Sequence, residues 1–273
     1  MKLAFSTNAF KAFTLVEAIK EIKKIGYGGV EILCDIPHAY PPTFGEEQVE
    51  TTLHALASHN IQISNLNAFT LYAIGDVHHP SWIEDEMQAR QARIQHTINC
   101  LRLAGKLGAK NISTEPGGPV PASGDLETTS KLFASGVMAA AKMAEEVGVK
   151  LLIEPEPELL LENSRQFREF VKRIDSDYVR LNFDIGHFYC AGEDPAKLVH
   201  ELSDFIEHFH LADIAPSRIH NHLIPGEGAI DFRKVLDAID GIGYKGFVTV
   251  ELYPYQQNPS LAAQQAYDYL CRI

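Results

Sequence analysis

Four side chains able to hold a divalent cation stand at the ends of four strand-like runs. They are Glu154 in LLIEP, Asp184 in LNFDIGH, His210 in IEHFHLAD and Glu251 in GFVTVELYP. Each run is apolar or alternates apolar with polar, the signature of a buried strand. Two glutamates, one aspartate and one histidine make an oxygen-rich set, which suits Mn²⁺, Mg²⁺ or Co²⁺ and admits Zn²⁺. Glu154, Asp184, His210 and Glu251 are therefore expected to converge on one divalent metal ion. His187 follows Asp184 by three residues, after Gly186, and is expected at the same edge, in the loop the glycine opens.

Further residues stand close to these strand ends. Asn67 closes the third run, IQISNLN, and Glu115 follows the fourth, KNISTE. Trp82 shares a long loop with His78 and His79, where an aromatic wall over a sugar's apolar face would fit. Arg218 lies eight residues past His210 and is a candidate for a substrate oxygen or phosphate. His220 and His222, in IHNH, are spaced by two, so in an extended piece they point the same way; with His187 they form a zinc-capable set. Each has a plain alternative, such as a helix-capping carboxylate, a surface arginine or a loop packing its own aromatics. That alternative is hardest to sustain for the four ligands, which occupy equivalent positions on four strands.

The elements that must carry these residues alternate along the chain: eight strand runs, seven well-formed helices and one short one. Strict alternation implies a parallel sheet. Eight such units make a single-domain α/β chain over residues 1–273, a (β/α)8 TIM barrel with its active residues on the carboxyl-end loops. An open doubly wound sheet would want a glycine-rich phosphate fingerprint after the first strand, and FSTNAFKAF has none. Thr14 with Glu17 reads as a capping box, and Asp231 as the N-cap of the helix after the glycines of IPGEGAID.

Composition narrows the partners. With 24 Lys and Arg against 36 Asp and Glu, the net charge is −12, which disfavours a nucleic-acid footprint. No run approaches the roughly 18 apolar residues of a membrane span, and the first ten residues read as a strand rather than a signal peptide. Four scattered cysteines without a CxxC pair read as reduced thiols of a cytoplasmic enzyme. The expected partner is a small carbohydrate-like molecule; the outer helices leave a homo-oligomer open.

In that order, LLIEP, LNFDIGH, HFHLAD, HLIPGEGAIDF and FVTVELYP resemble the xylose isomerase-like TIM barrel superfamily. It includes D-tagatose 3-epimerase-type sugar epimerases, hydroxypyruvate isomerases, inosose and dehydroshikimate dehydratases, and endonuclease IV-type nucleases. The resemblance implies one catalytic metal on Glu154, Asp184, His210 and Glu251, with both glutamates as the acid/base pair that moves a proton beside a carbonyl through a cation-stabilised enediolate, and His187 against substrate, polarising the carbonyl or orienting a hydroxyl. It implies a metal-dependent isomerase or epimerase of a small sugar, sugar phosphate or polyol-ketone. Leu160 stands where the D-psicose-type epimerases carry a further glutamate, which counts against that specificity. The alternatives are an endonuclease IV-type hydrolase and a dehydratase of the inosose or dehydroshikimate type. In the hydrolases, residues matching His187, His220 and His222 hold a further zinc, with aspartate at the position of His220. Their first zinc site uses histidines where Asn67 and Glu115 stand here. The expectation is one ion at full occupancy, with His187 and His222 facing substrate oxygens.

Overall fold

The computed structural model describes residues 2–120 and 124–273, so the reading of residues 121–123 as part of the loop after the fourth strand lies outside them. The strands are β1 (Lys2–Ser6), β2 (Gly29–Leu33), β3 (Gln62–Asn67), β4 (Asn111–Thr114), β5 (Lys150–Ile153), β6 (Val179–Asp184), β7 (Ile206–Leu211) and β8 (Phe247–Val250). They pair in parallel in sequence order, and β1 pairs with β8 to close the barrel. The helices outside it are α1 (Leu15–Ile25), α2 (Glu46–His59), α3 (Met87–Leu107), α4 (Leu126–Val147), α5 (Ser164–Val171), α6 (Ile185–Cys190), α7 (Pro195–Glu201), α8 (Phe232–Gly241) and α9 (Pro259–Leu270). None of them is long and apolar enough to cross a membrane.

Local chemistry sets the helix ends. The Thr14 hydroxyl accepts from the Glu17 amide at 3.3 Å while the Glu17 carboxylate accepts from the Thr14 amide at 2.8 Å, closing the expected capping box of α1. Asp231 accepts from the Lys234 amide at the start of α8. The element the sequence reading missed is α6. His187 does not begin a loop: Asp184 Oδ1 accepts from the His187 amide at 2.7 Å and caps a helix that starts directly at the strand end. Nor does Gly186 supply a turn in the left-handed region. A Cβ on it would meet Asp184 Oδ1 and Ile214 at 3.2 Å, so its role is to let these groups close in.

Strand alternation sorts side chains into two sets. Facing the helices are apolar residues, among them Phe5, Val30, Leu66, Leu181, Phe209 and Val248, all buried. Burying each stabilises the fold by about 1.5–3 kcal/mol. The inward set is equally buried and largely polar, where barrels of this kind are more often filled by branched aliphatic layers; it includes Glu31, Asn65, Ser113, Asn182, His208 and Thr249. Hydrogen bonds knit part of this interior. Asn65 Nδ2 donates to Glu31 at 2.7 Å and to Ser113 at 2.9 Å, and Asn111 Nδ2 donates to Asn65 Oδ1 at 2.7 Å. Two register shifts, one between β2 and β3 and one between β6 and β7, fall beside Glu31 and Asn182. Bulges of this kind re-aim side chains near functional sites.

The long loop after β3 is held down at both ends. Fully buried Arg93 donates to the carbonyls of Phe69 and Pro80, each at 2.8 Å. Asp35 accepts from the amides of Tyr72 and Ala73 and from the Thr70 hydroxyl.

Candidate active site

The carboxyl ends of β5 to β8 bring together Glu154, Asp184, His210 and Glu251. Each offers a ligand atom within 4.8 Å of the others, and all four are buried. Asp184 and His210 are register partners across β6 and β7, while Glu154 and Glu251 follow directly on β5 and β8. Asp184 Oδ1 is engaged in capping α6, whereas its Oδ2 is buried without a hydrogen-bond partner. An orphaned carboxylate oxygen among two further carboxylates and an imidazole is what an absent cation would satisfy, so the donor set fits a divalent ion.

A second ring of residues orients these four. His210 Nδ1 lies 2.8 Å from Glu154 Oε1, and its Nε2 lies 2.5 Å from Glu31 Oε2. Burial alone would lower the His210 pKa, but Glu154, Glu31 and Glu251 together hold it well above the usual histidine value. Burial works to raise Glu31, and His210, His208 and Asn65 outweigh it, bringing the carboxyl to about 2. Glu251 is pushed well up, chiefly by burial; His210 opposes the shift, and Glu154, Glu31 and Asp184 add to it. Its Oε1 accepts from Asn8 Nδ2 at 2.8 Å and Asn67 Nδ2 at 3.0 Å. Asn67 thus meets the site through Glu251.

His187, His220 and His222 form a separate cluster, with one nitrogen from each within 4.8 Å of the others. His187 Nδ1 donates to the Pro155 carbonyl and His222 Nδ1 to the Glu251 carbonyl, both at 2.9 Å, which frees each Nε2. His220 Nε2 lies 3.2 Å from His222 Nε2, and since the His222 hydrogen is on Nδ1, His220 is the donor of this pair. Burial, with the neighbouring His187 and His222, takes His220 down to about 2. Its Nδ1 is 3.5 Å from Glu156. Burial pushes Glu156 well up, reinforced by Glu154, Glu251 and Asp184.

A cavity of about 310 Å³ opens above both clusters, and Glu154, Glu251, Asn67, His187 and His220 are among the residues lining it. Phe69, Tyr72 and Tyr253 supply aromatic wall. A wider depression of about 490 Å³, lined by residues such as Asp175 and Arg180, lies away from every one of these groups.

Three expectations are corrected. Trp82 is no wall of the cavity; it is buried against Phe133, with its indole N–H donated to Thr114. Glu115 is fully buried beside Arg93, at 3.3 Å, and does not line the mouth. Arg218 lies outside the cavity, stacked over the Tyr189 ring and donating to the Tyr189 carbonyl, with its chain direction set by a φ of 60°. Among the residues sequence reasoning passed over, Glu31, Asn8 and Glu156 bear most directly on the site. A charged residue between Val30 and Ile32 in a strand buried throughout is the signal that singles out Glu31.

Comparison with known proteins follows the geometry. The match to curated inosose dehydratases includes that of Lacticaseibacillus casei, 30% identical over 156 residues, half of this chain and 52% of the relative. The chain thus spans about half the length of these relatives. A 2-oxo-tetronate isomerase of Haemophilus influenzae is 26% identical over 254 residues, 91% of each chain. Among solved structures, a D-tagatose 3-epimerase-like protein superposes with a TM-score of 0.83 at 21% identity, covering 100% of this chain and 98% of that one. The IOLI protein, solved with a bound zinc atom, gives 0.81 at 22%, covering 100% and 97%. These last two show the shared fold. The pattern of one family matches residues 19–273, nearly the whole chain: it belongs to the xylose isomerase-like TIM barrel family.

Proposed function

We propose that this chain is a metal-dependent isomerase or epimerase of a small polyhydroxy carbonyl compound. The observation that carries the reading is the meeting of two carboxylates, Glu154 and Glu251, with Asp184 and His210 at one end of the cavity. These four residues would hold a divalent ion, which when bound supplies a fixed positive charge for the substrate oxygen that turns negative as the proton leaves. Glu154 and Glu251 take and return the proton on the carbon beside the carbonyl. Asn8 and Asn67 keep Glu251 Oε1 occupied, so Oε2 is the oxygen left to work. His187, with Nδ1 committed to the Pro155 carbonyl, presents Nε2 as an acceptor for a substrate hydroxyl, which favours orienting over polarising.

The likeness to inosose dehydratases supports a second reading, in which the same proton abstraction is followed by expulsion of a β-hydroxyl. One experiment separates the two. The chain loaded with Mn²⁺, Co²⁺ or Zn²⁺ is incubated with ketoses, inososes and hydroxypyruvate in D₂O. The isomerase reading expects deuterium on the carbon beside the carbonyl and a product of unchanged composition. A product lighter than its substrate by one water selects the dehydratase; neither exchange nor loss of water with any compound in the panel overturns both.

A further inference from the structure

The cavity is lined by carboxylates that follow β5 and β8 and by a cation that follows β1. On the β5–β8 side stand Glu154, Glu156 and Glu251. On the β1–β3 side stands Lys11, which among the described residues is the one lysine or arginine lining the cavity. It follows the turn after β1, is half-buried, and holds Nζ 4.5 Å from the centroid of the Tyr72 ring. The acid whose charge bears on it is Asp35. Asp35 is already taken up by the Ile36, Tyr72 and Ala73 amides and the Thr70 hydroxyl, at 2.6–3.1 Å. Lys11 forms no ion pair among the described residues. Burial lowers its pKa, more than the Asp35 charge raises it. An ammonium drawn partly out of water over an aromatic face, with its donors uncommitted, lacks a counter-charge that a ligand can supply.

We propose that Lys11 receives an anionic group of the substrate, a carboxylate or a phosphate, and so selects sugar acids or sugar phosphates over neutral sugars. The inference rests on the isomerase reading for what happens at the other end of the molecule. Charge fixes the orientation. An anionic group held at Lys11 meets attraction there and leaves the carbonyl end of the molecule for the four residues that would hold the ion. A cavity of about 310 Å³ sits at the small end of ligand sites, consistent with a short-chain compound.

The test uses three matched four-carbon probes: erythritol, D-erythronate and D-erythritol 4-phosphate. Binding to the metal-loaded chain is read by calorimetry for wild type, Lys11→Gln and Lys11→Arg. We expect wild type to bind one of the anions at least about tenfold tighter than erythritol, and which one identifies the group. Lys11→Gln should weaken that anion about tenfold to a hundredfold and leave erythritol within about twofold, while Lys11→Arg keeps most of the preference. Equal binding of all three by wild type, binding of none, or equal losses for erythritol and the anions in Lys11→Gln would each overturn the proposal. Because these readouts need no turnover, an anion preference without deuterium exchange would sink the isomerase reading alone. Exchange that is equally fast with neutral and anionic compounds would sink only the role of Lys11.

Discussion

His210 Nε2 lies 2.5 Å from Glu31 Oε2, a contact between residues 179 positions apart that fixes an imidazole whose other nitrogen faces Glu154. A ring held at both nitrogens keeps one orientation and one tautomer when an ion takes the Glu154-facing side. Glu31 is itself held by Asn65 at 2.7 Å and by Asn67 at 3.3 Å. Glu31→Gln is expected to lower divalent-metal affinity about tenfold, and Glu31→Ala up to about a hundredfold, by equilibrium dialysis. An unchanged affinity in a folded Glu31→Ala protein would show that the contact does not serve the metal.

Catalysis should separate from folding at the two glutamates. Glu154→Gln and Glu251→Gln are expected to keep the wild-type circular dichroism and lose turnover by about a hundredfold or more. Retention of turnover in both variants would exclude them as the proton-transfer pair.

Metal content distinguishes the proposed enzyme from a hydrolase. Under zinc-replete conditions we expect one tightly held ion per chain, abolished by Asp184→Ala and retained in His222→Ala. The set Glu154, Asp184 and Glu251 offers three carboxylates to a dication, whereas His187, His220 and His222 offer imidazoles, with Glu156 3.5 Å from His220 as the nearest acid. Two or more ions, with the extra ones lost in His220→Ala and His222→Ala, would favour the hydrolase.

Stability should depend on pH through Glu115. Its 3.3 Å approach to Arg93 looks like an ion pair, but neither carboxyl oxygen accepts a hydrogen bond. Burial therefore prevails over the pull of Arg93 and raises the pKa to about 8 from the ordinary 4.5. Between those values the folded chain keeps a proton that the unfolded chain has released, so rising pH favours unfolding. The contribution is fully present below the unfolded pKa and is lost as pH rises through the folded one. Glu115→Gln should flatten the decline between about pH 5 and pH 8, a difference on the order of a few kcal/mol in urea unfolding. Parallel pH profiles for wild type and variant would contradict this.

The barrel was legible because the helix-facing residues of each strand are apolar and the strands alternate with helices. The convergence of the four strand-end residues was legible for a related reason: a strand that ends on a carboxylate or imidazole breaks its own apolar pattern. Glu31 escaped because it sits inside a strand rather than at its end, and its partner arrives from β7, where only closure of the barrel can bring it. Trp82 and Glu115 were misread because position in a loop does not reveal burial. Arg93, from α3, binds the loop's carbonyls and draws that segment inward, so an aromatic that looks free in sequence becomes core. The helix α6 was hidden by Gly186, a residue that in isolation argues against helix.

The polar interior beneath the site has a consequence for which substitutions this protein can accept. In a barrel filled with aliphatic layers, either face of a strand can trade one hydrophobic side chain for another of similar volume. Here the outward face keeps that latitude, while Asn65, Ser113 and Glu31 are joined by hydrogen bonds that an aliphatic replacement would leave half-made. Variation across the strands should therefore be tolerated with a period of two. Drift in the sequence is channelled outward, and the floor under the four strand-end groups stays chemically fixed.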